Sequence, residues 1–239
     1  MALTSVLAIQ IGLSNSARAE DPIPSDSLPT STTIESTTTT STTTTTVLPN
    51  VLRPKDIVKI SKIRTNKSVV FITIDDGATV SPELAKILDK KRIPITTFAM
   101  PEMLWRARNW YKARKDMTFE NHTNTHAHMT LISQRKQKTE LCWTNKLIKG
   151  MFGKSPIMYR PPRGSWIEEN RIAMAKCGLK YAVLWSVVIE NIVPKNLVFQ
   201  KGDIILLHYV QSLPTVLPQI LEKLKKQKLQ PALLRDYLG

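Results

Sequence analysis

Short apolar runs alternate with longer stretches of helical periodicity over most of the chain after residue 58. The runs are rich in β-branched and aromatic residues, as buried strands are, and fall at 68–74, 93–100, 117–119, 157–159, 181–185 and 202–208. Apolar residues spaced three and four apart predict helices over 82–88, 133–150, 167–177 and 214–228. We expect residues 101–115 to form a connecting loop. This alternation predicts a parallel α/β sheet or barrel.

Polar residues with catalytic chemistry follow four of the predicted strands. They are Asp75 and Asp76 after the first strand, His122 and His126 after the third, Arg160 after the fourth and His208 at the end of the last. In a parallel barrel the carboxyl ends of the strands form one rim, which is the usual place for an active site. Each motif alone also has a plainer interpretation, since Asp-Gly is a common turn pair and a satisfied core histidine is commoner than a titrating one.

The adjacent carboxylates of Asp75 and Asp76 favour a cation nearby. Like charges this close are costly unless a cation or hydrogen-bond donors hold them, which suggests a metal on one carboxylate and a base role for the other. His122 and His126 are spaced so that two imidazoles can reach one ion, although such a pair alone is weak evidence. His128 lies two residues further on, and we interpret it as a surface loop residue.

Composition places the globular part after the first fifty residues. The chain has 239 residues, of which 42% are hydrophobic, so it can bury a large core. Its formal net charge is +15, and the first fifty residues hold one Arg against four acids, so the positive excess lies in residues 51–239. Such charge attracts nucleic acid, anionic membranes or anionic polymers. For an exported protein we expect no nucleic-acid partner, which leaves an anionic wall polymer and solvated helix faces as interpretations.

The N-terminal region predicts export. An apolar stretch over 2–13 followed by Ala17-Arg18-Ala19 resembles a secretory signal over 1–19, although no Lys or Arg precedes the apolar stretch. Residues 20–65 are predicted to be a Ser/Thr/Pro-rich disordered stalk and lead-in. From Glu20 to about Leu48 so few apolar side chains cannot offset the conformational entropy of folding, and the residues after them lead into the first strand. No apolar run approaches the roughly 20 residues that span a bilayer. We therefore expect a secreted or cell-wall-associated protein without a transmembrane span.

Two further groups of residues leave alternatives open. Cys142 and Cys177, the only cysteines of the sequence, could pair in an oxidising compartment or remain two buried thiols. The aromatic residues of 101–115, among them Trp105 and Trp110, could stack on sugar rings, but we favour a role in capping the core.

In this order, the motifs resemble those of the NodB-type polysaccharide deacetylases of carbohydrate esterase family four, across residues 66–239. The matching segments are Thr73-Ile74-Asp75-Asp76-Gly77, His122-Thr123-Asn124-Thr125-His126, Arg160-Pro161-Pro162-Arg163-Gly164 and Leu206-Leu207-His208. The resemblance implies a distorted (β/α) barrel and a catalytic domain over 66–239. It also implies a metal-dependent amide hydrolase that removes acetyl groups from N-acetylated cell-wall polysaccharide, such as peptidoglycan or a chitin-like polymer. We expect the protein to be a monomer.

The same resemblance implies a divalent metal, usually Zn2+, and its ligands. These would be Asp76, His122 and His126. Three protein ligands with an open position describe a catalytic rather than a structural zinc site. The metal would lower the pKa of a bound water and polarise the acetyl oxygen.

Catalytic and substrate-facing roles are implied for the other matching residues. Asp75 would act as the general base, Arg160 would hold Asp75 by a charge-assisted bond, and His208 would protonate the leaving amine. The backbone N–H of Arg163 would help to stabilise the oxyanion. The substrate and oxyanion side of the site would be lined by Arg163, Pro162 and Leu206.

The chain departs from the family pattern after the predicted strand 181–185. The family usually has Asp-x-x-Asp-Trp there, and the first acid supports the acid histidine, whereas this chain has Val188 at that position and Glu190 two residues later. We expect a less tightly held His208 and a slower enzyme, unless Glu190 reaches it from a shifted loop. Arg163 also stands where the family often has Tyr. The alternatives are an O-acetyl esterase on cell-wall polysaccharide and a catalytically weak wall-binding protein.

Overall fold

The computed structural model describes residues 51–239, so the predicted signal segment 1–19 and most of the predicted stalk lie outside the described residues. The strands are β1 (Val58–Ile60), β2 (Val69–Asp76), β3 (Ile95–Ala99), β4 (Met117–Asn121), β5 (Met158–Tyr159), β6 (Tyr181–Val183), β7 (Val187–Val188), β8 (Ile204–His208) and β9 (Gln230–Pro231). The α-helices are α1 (Pro82–Lys91), α2 (Pro101–Arg106), α3 (Arg108–Lys112), α4 (Gln134–Phe152), α5 (Asn170–Lys176) and α6 (Leu213–Lys226).

The strands form one parallel sheet that curls on itself. Its order is β1-β6-β5-β4-β3-β2-β8-β7, and β9 pairs with the start of β2. Only residues 184–186 separate β6, the second strand in this order, from β7, the last one. One short segment of chain therefore contributes to both ends of the sheet. This arrangement is a distorted (β/α) barrel, which confirms the fold class predicted from the sequence.

Alternation along β2 divides the core into an outer and an inner part. Ile72 and Ile74 pack outward, in the apolar cluster that also holds residues of α1 and α6. Phe71 packs inward with Phe98 and Ile204 of the neighbouring strands. Because successive side chains of a strand point to opposite faces, the odd-numbered positions of β2 that follow Phe71 also face the barrel interior.

The predicted loop over 101–115 is wrong in one respect, because it contains the short helices α2 and α3. Pro101 occupies the first position of α2, where its fixed φ favours a helix and its missing N–H costs nothing. Helices of six and five residues are too short to show a helical period in the sequence. Tyr111 is buried, as predicted for the aromatic residues of this segment, but Trp105 is 59% exposed.

Two long-range contacts fix the elements around the site. Cys142 of α4 and Cys177 after α5 form a disulfide, which settles the pairing that the sequence left open. Glu120 of β4 is fully buried, and its carboxylate accepts the backbone N–H groups of Ile157 and Met158, each at 2.9 Å. Burial raises the pKa of Glu120 to about 7, while Arg235 at 2.7 Å opposes the rise. The two-residue strand β5 is thereby held beside β4.

Within residues 51–239, we find no helix that is both long enough and apolar enough to cross a membrane.

Candidate metal and catalytic site

The candidate residues converge at the carboxyl ends of the parallel strands. Asp75 and Asp76 end β2, His122 follows β4, Arg160 follows β5, and His208 ends β8. In the sheet register Asp75 lies opposite His208 on the neighbouring strand. The rim predicted from the sequence therefore exists, and the sheet brings these residues to it.

Asp76, His122 and His126 form a cluster with metal-binding geometry. One ligand atom from each lies within 4.8 Å of the other two. The Oδ1 atom of Asp76 is 3.5 Å from Nε2 of His122 and 3.7 Å from Nε2 of His126. That oxygen is buried and has no hydrogen-bond partner among residues 51–239, which is costly unless a cation satisfies it. Burial, and then neighbouring His122, lowers the pKa of His126 and favours the neutral imidazole that binds metal. The three residues therefore fit a divalent cation.

The backbone around this cluster is held in unusual conformations. Asp76, Thr123, His126 and Arg163 have φ values of 76°, 66°, 55° and 59°. The left-handed region is uncommon for residues other than glycine, and a β-branched threonine there is an outlier. Such conformations cost free energy and concentrate at functional sites. Because Asp76 has this left-handed conformation, its side chain does not follow the inward and outward alternation of the other β2 side chains.

Arg160 fixes the carboxylate of Asp75 from inside the barrel. Its guanidinium is fully buried, and Nη1 donates to Oδ1 of Asp75 at 2.7 Å and to Oγ1 of Thr73 at 2.8 Å. Nε and Nη2 donate to two backbone carbonyls at 3.2 Å, and the group lies 4.2 Å from the centre of the Phe98 ring. Burial lowers the pKa of Arg160, and Asp75 opposes this. The other Asp75 oxygen, Oδ2, points toward the cluster, 3.8 Å from Nε2 of His122.

A backbone carbonyl orients the ring of His122. Its Nδ1 lies 2.9 Å from the carbonyl oxygen of Arg160, which can only accept a hydrogen bond. Nδ1 must therefore carry the proton, and Nε2 presents its lone pair to Asp76 and His126. His128 does not belong to the cluster, and its Nδ1 lies 2.9 Å from the hydroxyl of Thr130.

Helix α4 holds the loop that carries both histidines. Glu140 accepts the N–H groups of Asn124 and Thr125 and the hydroxyl of Thr125, each at 2.9 Å. Asn121, the last residue of β4, donates to Oδ1 of Asn145 at 2.6 Å. Sequence reasoning missed these supporting residues. The available signal was a set of polar residues on the buried face of a predicted amphipathic helix.

His208 has no acidic partner among the described residues. The ion pairs of residues 51–239 include three with His122 or His126 and none with His208. Val188 pairs with Leu206 in the register of β7 and β8, and its side chain is half exposed. Glu190 is exposed, and its carboxylate accepts no hydrogen bond within the described part of the chain.

The remaining substrate-facing candidates lie around the same rim. Leu206 is buried, two residues before His208 on β8, so the two side chains lie on the same face of the strand. Pro162 is buried, and the Arg163 side chain is exposed, with Nη1 3.5 Å from the carbonyl oxygen of His126. The structure therefore places all the sequence-predicted residues at one end of the barrel.

The chain belongs to the polysaccharide deacetylase family. The model of this family matches residues 62–182, about half of the chain. That segment includes β2, β4 and β5 with their candidate residues, while His208 lies beyond it.

Individual relatives support this placement. The chain is 32% identical over 132 residues to a chitooligosaccharide deacetylase of Rhizobium leguminosarum bv. phaseoli, covering 52% of this chain and 56% of that protein. It is 27% identical over 146 residues to an uncharacterised protein of Streptomyces coelicolor, covering 60% of this chain and 58% of that protein. The chain thus spans less than two thirds of the length of these relatives. A solved peptidoglycan N-acetylglucosamine deacetylase shares the fold, with a TM-score of 0.67 at 21% identity over 77% of this chain and 94% of that chain.

Proposed function

We propose that the protein is a metal-dependent hydrolase that removes acetyl groups from an N-acetylated polysaccharide. The observation that carries this proposal is the juxtaposition of a three-residue metal cluster with a buried, arginine-held carboxylate. Membership of the polysaccharide deacetylase family supports the reaction class. The Rhizobium relative is a chitooligosaccharide deacetylase, which supports an N-acetylglucosamine polymer as the substrate class.

Asp76, His122 and His126 would hold the divalent metal, and their one oxygen and two imidazole nitrogens suit Zn2+. When bound, the metal would supply positive charge that eases the ionisation of a water and polarises the acetyl carbonyl. Asp75 accepts the proton of the attacking water on Oδ2, since Oδ1 is taken by Arg160. Arg160 keeps that carboxylate oriented toward the cluster through the reaction.

His208 donates a proton to the sugar nitrogen as the C–N bond breaks, because it lies opposite Asp75 at the same rim. The products are acetate and a free amine. Leu206, on the same face of β8, packs against the acetyl methyl group, and Pro162 stiffens the loop that presents the backbone N–H of Arg163 to the oxyanion.

We further propose that the protein works outside the cytoplasm, secreted or associated with the cell wall, as a monomer. A disulfide persists in an oxidising compartment, in agreement with the predicted signal segment. The positive excess of residues 51–239 would draw such a protein to an anionic wall.

The test is acetate release from N-acetylated peptidoglycan fragments and chito-oligosaccharides by Zn2+-loaded protein. Asp75→Asn should abolish release while leaving metal affinity nearly unchanged, because Asp75 lies beside the cluster without belonging to it. Asp236→Asn, in the C-terminal turn Leu234–Tyr237, is the control and should release acetate at the wild-type rate. Equal release by wild type and Asp75→Asn would contradict the proposed mechanism.

One observation favours a second candidate, a catalytically weak wall-binding protein. His208 lacks an acidic partner within the described residues, so no carboxylate fixes the orientation of the histidine proposed as the general acid. Tight Zn2+ binding and retention on wall fragments, with no acetate released from N- or O-acetylated substrates, would favour this candidate. Release from O-acetylated substrates alone would identify an esterase on the same site.

A further inference from the structure

A groove lies between α2 and α4, beside the loop that carries the two candidate histidine ligands. Two adjoining cavities of about 280 and about 650 Å³ form it, and Glu102 and Asn124 line both. Thr125 also lines the smaller cavity. Because Asn124 and Thr125 lie on the loop between His122 and His126, the groove begins within two residues of the candidate metal ligands. We call this feature the Trp105 groove, after the tryptophan that lines its larger cavity.

Trp105 is held in place yet open to solvent. Its side chain is 59% exposed, and the guanidinium of Arg108 lies 4.7 Å from the ring centre. A cation stacked on one face of an indole restricts its motion and leaves the other face free. Among the residues of α2, Leu104 and Pro101 are the buried ones, so Trp105 is not one of the side chains with which this helix enters the core.

Helix α4 supplies the opposite wall of the groove. Leu147 and Met151 contribute apolar surface, and Lys146 contributes a charged rim. Gly150 lies inside this helix, and a Cβ built there would meet no heavy atom of the described residues within 4 Å. Glycine weakens a helix interior, and no close packing requires it here. Its missing side chain deepens the groove.

We propose that the Trp105 groove binds sugar units of the same polysaccharide, away from the unit that loses its acetyl group. A pyranose ring has an apolar C–H face and a rim of hydroxyl groups. The free indole face and the apolar wall of α4 are complementary to the C–H face of the sugar. The polar side chains of Glu102, Asn124 and Lys146 are complementary to its hydroxyl groups. The substrate is then a chain rather than a single sugar, and this inference rests on the proposed function for the identity of that chain.

The test compares N-acetylglucosamine dimer and hexamer as substrates and as ligands. Trp105→Ala removes the platform, and Gly150→Leu fills the space without touching the metal loop. Each should lower the preference in kcat/KM for hexamer over dimer about tenfold, as loss of a central aromatic contact does. Trp143→Ala is the matched control, because Trp143 is 47% exposed with Lys146 over its ring but does not line the groove.

Hexamer binding, measured by calorimetry in the Asp75→Asn background, separates this inference from the proposed reaction. We expect Trp105→Ala to weaken that binding about tenfold whether or not wild type releases acetate. Unchanged hexamer binding and unchanged preference in both groove variants would overturn the inference even if acetate release stands. An equal loss in Trp143→Ala would overturn it as well, since it would show general adhesion to exposed aromatic rings.

Discussion

Glu140→Ala is expected to weaken metal binding more than any other substitution outside the ligands themselves. Glu140 does not touch the cluster, but its Oε2 accepts the N–H groups of Asn124 and Thr125, and its Oε1 accepts the hydroxyl of Thr125. These residues connect His122 to His126. Truncation frees the loop to leave the left-handed conformations that bring both imidazoles to Asp76.

The size of the effect follows from the bonds that are lost. A hydrogen bond to a charged group contributes about 1.5 to 3 kcal/mol, and Thr125 is exposed, so water replaces part of each lost bond. We expect the free energy of unfolding to fall by about 2 to 3 kcal/mol. Residues that orient metal ligands typically change metal affinity by about 10- to 100-fold, and we expect a loss of Zn2+ affinity in that range.

Glu140→Gln should be much milder than Glu140→Ala. The amide oxygen can replace Oε2 as acceptor of the two backbone N–H groups, and the amide NH2 can donate to the Thr125 hydroxyl, which also accepts. All three bonds can then persist without the charge. We expect a loss of Zn2+ affinity of only a fewfold, so the pair of variants separates loop geometry from charge.

The assay is competition for Zn2+ with a chromophoric chelator, together with amide hydrogen exchange of the metal-free protein. Exchange at Asn124 and Thr125 should accelerate in Glu140→Ala. Gln137→Ala is the control, because Gln137 is similarly buried on α4 but bonds the carbonyl oxygens of Met129 and Ile132. An equal loss of Zn2+ affinity in Glu140→Ala and Gln137→Ala, with both variants less stable than wild type, would refute the reasoning.

Four further predictions concern other parts of the fold and site. Reduction of the disulfide should lower the free energy of unfolding by about 3 to 4 kcal/mol, because the disulfide closes a loop of 35 residues. Equal urea midpoints with and without reductant would contradict this. Gly202→Ala should cost about 3 kcal/mol or more in the same assay, since its φ is 82° and a Cβ would overlap the carbonyl oxygen of Ile63; an unchanged midpoint would contradict this. Arg160→Met should cost about 3 to 5 kcal/mol, because the buried carboxylate loses its partner, and near-wild-type stability would argue against the buried pair. Val188→Asp should speed acetate release and extend it to higher pH, because it places a carboxylate on the strand that pairs with the strand of His208, where it favours the protonated imidazole. An unchanged rate and pH profile would exclude a supporting role for an acid at this position.

The alternation of strands and helices, and with it the barrel class, could be predicted because each element carries a local pattern. The strand β2 is a continuous β-branched and aromatic run, and α1 has Ser81 as its N-cap, whose hydroxyl accepts the N–H of Leu84 at 3.1 Å. The segments α2, α3 and β7 are too short to show a period. Their conformation depends on contacts with distant parts of the chain, which no local pattern encodes.

The site was predictable where it lies at strand ends and hidden where it lies on a helix. Gln137, Glu140, Thr144 and Asn145 are all buried on α4 and are spaced three, four and one residues apart, so they share the face that an amphipathic helix normally reserves for apolar residues. Burying polar groups is favourable only when their hydrogen bonds are satisfied. Such a face therefore implies that the helix packs on backbone in need of donors and acceptors, and here that backbone includes the histidine loop and the carbonyl oxygens of Met129 and Cys177. The geometry of the metal cluster is consequently determined by α4 as much as by the residues of the cluster itself.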